Sequence, residues 1–178
     1  MRYTLFVLGL LWSASLVAAS STTIGATDAQ RCFDESRLPL SDYGLTYCDN
    51  AIKKGDLTRR DLAATLSNRG IILARIGRYS EALQDHEKAI ATLPNLAELY
   101  INRGNAYYHT LDYASALEDY RRAADLEANP RHTPWYNMGL THMRLRQLEE
   151  ARQAFERALE LSPGSDKIRA QLESLADP

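Results

Sequence analysis

The sequence predicts an all-α solenoid in which one helical hairpin is used three times. Glycines interrupt apolar-periodic, helix-like stretches at Gly70, Gly104 and Gly139, at steps of 34 and 35 residues. Alanines keep that step, at Ala82, Ala116 and Ala151 and again at Ala89, Ala123 and Ala158. Each unit carries two segments with apolar positions three and four apart, parted by breaks near Gly77-Arg78, Leu111-Asp112 and Arg146-Gln147. Between the alanines lie His86, Tyr120 and Phe155. A glycine inside a helix costs about 1 kcal/mol relative to alanine. Packing offsets that cost where two antiparallel helices approach closely and a ring from one fills the gap left by the other.

The elements follow in chain order. Arg2, an apolar run from Tyr3 to Trp12 and the small residues Val17, Ala18 and Ala19 have the order of a secretory leader. Residues 1–19 are therefore expected to be a cleaved signal peptide, and the mature chain to be periplasmic or secreted. The alternative is an uncleaved anchor. Ser13 and Ser15, however, interrupt a run already short of the roughly 20 apolar residues a spanning helix needs, so no membrane insertion is expected after cleavage. Export makes Cys32 and Cys48, the two cysteines of the chain, an expected disulfide. A loop of that length is worth roughly 3 kcal/mol in the chain-entropy model. Zinc would need further ligands nearby, and a redox pair the shorter C-x-x-C spacing.

Residues 20–57 form the region of the cysteines, and the three units run over 63–96, 97–131 and 132–165. Pro94 and Pro163 stand where the first and third units must stop. The second ends at Ala128-Asn129-Pro130, with one extra residue before Pro134 opens the next helix. In 166–178, Ser165 can cap a final helix whose Ile168, Leu172 and Leu175 face inward.

These residues resemble the tetratricopeptide repeat family. Its pattern is met by Leu66, Gly70, Leu73, Tyr79, Ala82, His86, Ala89 and Pro94, then by Tyr100, Gly104, Tyr107, Tyr113, Ala116, Tyr120 and Ala123. The third unit supplies Trp135, Gly139, His142, Leu148, Ala151, Phe155, Ala158 and Pro163. Departures are Ala128 in place of a closing proline, the inserted residue near 131, and Arg152 where earlier units have Leu83 and Leu117. The resemblance implies a right-handed superhelical solenoid with capping helices at both ends. "DYGLTYCDNAIKKG" looks like the second helix of a degenerate repeat, with Gly44, Cys48 and Ala51 at the Ala, aromatic and Ala positions. The disulfide would then pin the Cys32 segment onto a terminal helix that has no outer neighbour.

The resemblance also implies a concave groove lined by the first helix of each hairpin, with Asn68, Asn102 and Asn137 pointing into it. An amide both donates and accepts, so a row of them at repeat spacing can grip the backbone of an extended peptide. This is similar to the asparagine ladder, and in one amide to the carboxylate clamp, of other members. The clamp's lysine and arginine positions fall here on residues such as Ser67 and Ile71. The alternative is that the amides bond within their own repeats. Arg75, Asn105, Tyr108, Tyr136 and Arg144 share the groove register, which suggests a peptide with an apolar centre and a carboxylate. A helical partner laid in the groove is the other form.

Arg69 and Arg103 each precede an aspartate, Asp85 and Asp119, by one constant interval; where Met138 replaces the arginine, Ala154 replaces the aspartate. Partners that appear and vanish together predict salt bridges within a hairpin.

Composition excludes other classes. Lys+Arg number 21 against 23 Asp+Glu, and loss of Arg2 with the leader leaves the mature chain slightly more acidic. Nucleic acid is therefore not an expected partner. The register disperses the four histidines: His86 and His142 at aromatic core positions, His109 at a helix end and His132 in a linker. G-x-S-x-G, H-E-x-x-H and a phosphate-cradling loop are missing from the sequence. No catalytic residue, metal or cofactor is expected. The function expected is a non-enzymatic scaffold for a protein or peptide partner, monomeric or weakly self-associating. The alternative is a self-associating structural protein of the cell envelope.

Overall fold

The computed structural model describes residues 27–38 and 42–175; the leader expected at 1–19 lies outside them. Among the described residues there are nine helices and no strand. They are α1 (Asp28–Ser36), α2 (Tyr43–Lys54), α3 (Arg59–Arg75), α4 (Tyr79–Thr92), α5 (Ala97–His109), α6 (Tyr113–Asp125), α7 (His132–Arg144), α8 (Leu148–Leu161) and α9 (Asp166–Ser174). Each odd-numbered helix up to α7 packs against the next to make a hairpin, and successive hairpins pack side by side.

Local chemistry sets the ends. Thr27, Thr58, Asp112 and Ser165 accept a backbone N–H three residues on, starting α1, α3, α6 and α9. The turn inside each repeat hairpin bends through one left-handed residue at a common register position: Gly77 (φ 82°), Leu111 (φ 65°) and Arg146 (φ 57°). The following N–H then closes the preceding helix: Arg78 onto Leu73 O at 2.8 Å, Asp112 onto Tyr107 O at 3.0 Å and Gln147 onto His142 O at 2.9 Å. Pro134 sits in the first turn of α7, where its missing N–H has no intrahelical partner to lose.

The glycines do what their spacing implies. A Cβ at Gly70 would lie 2.7 Å from His86 Cε1, one at Gly104 2.7 Å from Tyr120 Cε1, and one at Gly139 2.5 Å from Phe155 Cε1. His86, Tyr120 and Phe155 are each buried. The cysteines are a variant of the same arrangement: Cys32 and Cys48 are also sixteen residues apart, with Cα atoms 4.9 Å apart and sulfurs within bonding distance. Both are fully buried against Ile72 of the next hairpin. The Cys32 segment is thus more than a strap on one terminal helix. It forms α1, and α1 with α2 makes a complete fourth hairpin.

Both ends of the stack are held by an arginine on helix carbonyls. Arg75 donates to Glu35 O, Ser36 O and Leu38 O at the end of α1. Arg152, the residue that breaks the leucine pattern, reaches Leu175 O at the end of α9 at 3.3 Å. A cation is favoured at a helix C-terminus. Ile168 of α9 is buried on Ala151, Phe155 and Ala158, with Leu172 and Leu175 half-buried beside it. Among the described residues no helix is long and apolar enough to cross a membrane.

Candidate functional site

The first helices of the hairpins, α1, α3, α5 and α7, bring the asparagines to one side. Asn102 and Asn137 bond to the preceding first helix rather than within their own repeats, and Asn68 lies beside Ser36 of α1. Asn68 Oδ1 lies 3.4 Å from Ser36 Oγ, whose one proton goes to Phe33 O at 2.7 Å, while Asn102 Nδ2 donates to Ser67 Oγ at 2.9 Å and Asn137 Nδ2 donates to Asn105 Oδ1 at 3.1 Å. All three are half-buried. Asn68 thus keeps its donors and its carbonyl oxygen, while Asn102 and Asn137 keep their carbonyl oxygens.

Two hollows lie along this face. One, of about 530 Å³, is lined by α1, the end of α2 and the start of α3, and includes Asn68, Phe33, Asp28 and Asp61. The other, of about 440 Å³, lies between α3 and α5 and includes Asn102, Asn105, Arg75 and Ile71, with His86 and Tyr79 of α4 in its wall.

The remaining groove residues are more engaged than the register implies. Arg75 borders the second hollow, but its guanidinium is taken by the α1 carbonyls, so it is not a free cation for a carboxylate. Arg144 Nε donates to Tyr108 Oη at 2.9 Å, which holds the guanidinium further towards its charged form. Tyr108 packs edge-on to Tyr113, with centroids 5.6 Å apart. Tyr136 packs on Phe155 and carries Lys167 Nζ 4.4 Å above its ring, so it belongs partly to the C-terminal cap. Asn105 accepts from Tyr120 Oη at 2.8 Å as well as from Asn137.

The charge pairs join α3 to α4 and α5 to α6. Arg69 grips Asp85 through Nε at 2.6 Å and Nη2 at 2.8 Å, and also reaches Asp49 of α2. Arg103 grips Asp119 through Nε at 2.8 Å and Nη2 at 2.7 Å. Both arginines are held more firmly protonated by the bonded aspartate. Burial pushes the Asp119 carboxyl up against the pull of Arg103. The bidentate geometry keeps the pair ionised, and the opposing shifts say that desolvation consumes much of its gain.

The histidines are not all dispersed as the register implies: His86 and His109 both line the α3–α5 hollow, while His132 and His142 do not. His142 is a half-buried helix-end residue whose Nδ1 meets Gln147 Oε1 at 2.7 Å, rather than a core ring. His132 opens α7 instead of lying in a linker. Among the described residues there is no group of three or more His, Cys, Asp or Glu able to hold a metal. His86 is the perturbed one: burial, helped by Arg103 and opposed by Asp85, lowers its pKa to about 4 from 6.5. Its neutral form is the folded one, so its contribution is complete above pH 6.5 and is lost as pH falls towards 4. Between pH 7 and 5.5 the wild type is expected to lose roughly 1 kcal/mol more stability than His86→Tyr, read as a steeper fall in its melting temperature. Parallel curves would contradict the assignment.

Models of the tetratricopeptide repeat match residues 62–93, 97–130 and 132–165. The chain belongs to the tetratricopeptide repeat family. It is 37% identical over 99 residues to human tetratricopeptide repeat protein 13, spanning 56% of this chain and 11% of that one. It is 30% identical over 115 residues to human RNA polymerase II-associated protein 3, spanning 64% of this chain and 17% of that one. The chain thus matches only a small part of these relatives. The solved first repeat domain of Spaghetti (RPAP3), bound to the HSP90 peptide SRMEEVD, superposes with a TM-score of 0.60 at 27% identity, covering 66% of this chain and 92% of that one. MamA shares the fold, with a TM-score of 0.65 at 19% identity over 76% of this chain and 77% of that one.

Proposed function

We propose that the chain is an exported, non-enzymatic scaffold that captures an extended segment of a partner protein along the face of Asn68, Asn102 and Asn137. The observation that carries this reading is the ladder: three half-buried amides at one register, two of them anchored to the preceding first helix, each retaining hydrogen-bonding capacity. An extended backbone offers N–H and C=O groups that such amides can meet without reading side chains. The solved relative bound to an HSP90 peptide supports peptide capture as the use of the fold. Its peptide is acidic, whereas Arg75 is already occupied here, so the partner segment need not end in a carboxylate. The signal read at 1–19 and the Cys32–Cys48 pair support export, with the disulfide closing the outer hairpin. The mature chain then works as a monomer or weak oligomer without a cofactor.

The test is a photo-crosslinking residue in place of Ile71, with trapped segments identified by mass spectrometry from the cell envelope. Replacing all three asparagines by alanine should remove the trapped segment. Melting should drop by no more than about 10 °C, leaving the chain folded, since each lost neutral hydrogen bond costs about 1 kcal/mol. Undiminished trapping in the triple variant would refute the groove reading.

A further inference from the structure

The three junctions between first helices are not filled alike. Between α1 and α3, Arg75 crosses to the α1 carbonyls. Between α5 and α7, Tyr108 occupies the space: its ring packs edge-on to Tyr113, and its hydroxyl accepts from Arg144 Nε at 2.9 Å. Between α3 and α5 the residue at the Tyr108 position is Ala74, and there the hollow of about 440 Å³ opens. Its surroundings otherwise keep the register. Tyr79 stands for Tyr113 and His109 for Arg144, and these two stack with centroids 6.3 Å apart. Polar groups also go unused in this junction. Tyr120 gives its hydroxyl to Asn105, but its counterpart His86 faces Ile71 at the Asn105 position. His86 is 1% exposed, and its Nδ1 has no hydrogen-bond partner among the described residues.

From this comparison we infer that the α3–α5 hollow is a receptor for a tyrosine side chain of the captured segment. The incoming ring takes over Ala74 the place that Tyr108 takes in the next junction. Tyr79 supplies the aromatic edge, Ile71 the apolar wall, and His109 and Asn102 the partners for the hydroxyl. The chain's own α5–α7 junction shows that a phenol fits this framework with its hydroxyl satisfied, and alanine removes the resident phenol from the α3–α5 junction. A buried aromatic anchor with a paired polar tip is the usual form of an interface hot spot. The inference rests on the groove reading above, and adds to it the side chain that sets register along an otherwise sequence-blind ladder.

The test is an NMR titration of the mature chain, with labelled alanine methyls and asparagine amides, against acetyl-Ala-Ala-Tyr-Ala-Ala-amide and its Phe and all-Ala counterparts. The tyrosine peptide should move the Ala74 and Ala106 methyl signals and bind at least about tenfold more tightly than the all-Ala peptide, with the Phe peptide between them. Ala74→Tyr should abolish the preference while keeping the melting temperature, because the new ring enters existing space; Ala74→Ser should keep both. Equal binding of the tyrosine and all-Ala peptides, equal binding of the tyrosine and Phe peptides, or a preference surviving Ala74→Tyr would each overturn the assignment. If the tyrosine preference fails while the asparagine amides still shift, the pocket is wrong and the groove reading stands. If Ala74 and Asn102 respond while Asn68 and Asn137 do not, the pocket stands and the groove reading falls.

Discussion

Asp119→Ala is expected to destabilise the protein by about 3 kcal/mol, while Arg103→Met combined with Asp119→Ala is expected to cost less than half of that. The ordering follows from burial. The Asp119 side chain is 4% exposed and that of Arg103 22%, so removing the carboxylate leaves a cation without its hydrogen-bond partner, held only over the Tyr100 and Tyr107 rings and only partly able to reach water. Breaking a buried pair from one side costs about 3–5 kcal/mol, whereas exchanging both partners for apolar groups is often neutral. The exposure of Arg103 puts the single change at the low end. The protein already contains the double exchange: at the same register in the third repeat stand Met138 and Ala154, both buried, in one cluster with Leu117 and Tyr120. Chemical denaturation of the two variants measures the difference. Equal losses would show that the pair itself, rather than the penalty of orphaning Arg103, supplies the stability. The first repeat is a poorer place to ask, because Arg69 would keep Asp49 when Asp85 is removed.

The same register explains what was legible in the sequence. A spacing that puts glycine sixteen residues before a ring, three times, fixes the hairpins, their phase and their core, because close helix approach leaves few other uses for that pattern. The paired presence of Arg69 with Asp85 and Arg103 with Asp119 was equally readable, since each partner is a side chain with its own letter. Backbone partners have no letter. Arg75 reads as a groove cation because nothing in the sequence marks the α1 carbonyls that occupy it, and Arg152 reads as an exception until α9 is seen to end beside it. The α1–α2 hairpin was half legible: its second helix shows through Gly44, Cys48 and Ala51, but the first lacks the glycine. Its signal was the sixteen-residue interval between Cys32 and Cys48, which matches Gly70 to His86. Within the groove, the asparagines were found by register alone. The bonds of Asn102 and Asn137 to the preceding helix, and the hollow over Ala74, depend on which neighbouring side chains are short, which only packing reveals.

Gly139→Ala is expected to cost about 2 kcal/mol, although alanine is the better helix former by about 1 kcal/mol. The added methyl carbon would meet three atoms of the Phe155 ring at 2.5, 2.6 and 2.8 Å, well inside contact distance, and overpacking of a filled core costs about 1–3 kcal/mol and sometimes more. Whether the ring can retreat decides the sign. Phe155 is fully buried, in one cluster with Ala151, Ala158 and Ile168 and with Tyr136 against it at 5.6 Å. It has nowhere to go. At Gly70 the ring is His86, which borders the α3–α5 hollow, so Gly70→Ala has space to dissipate the clash and should cost less than Gly139→Ala. Shortening the obstructing ring supplies the control. In a cycle of Gly139→Ala and Phe155→Leu, the double variant should be more stable than the sum of the singles by about 1 kcal/mol or more. Strict additivity, or a Gly70→Ala variant less stable than Gly139→Ala, would mean that something other than glycine-to-ring contact holds each hairpin together.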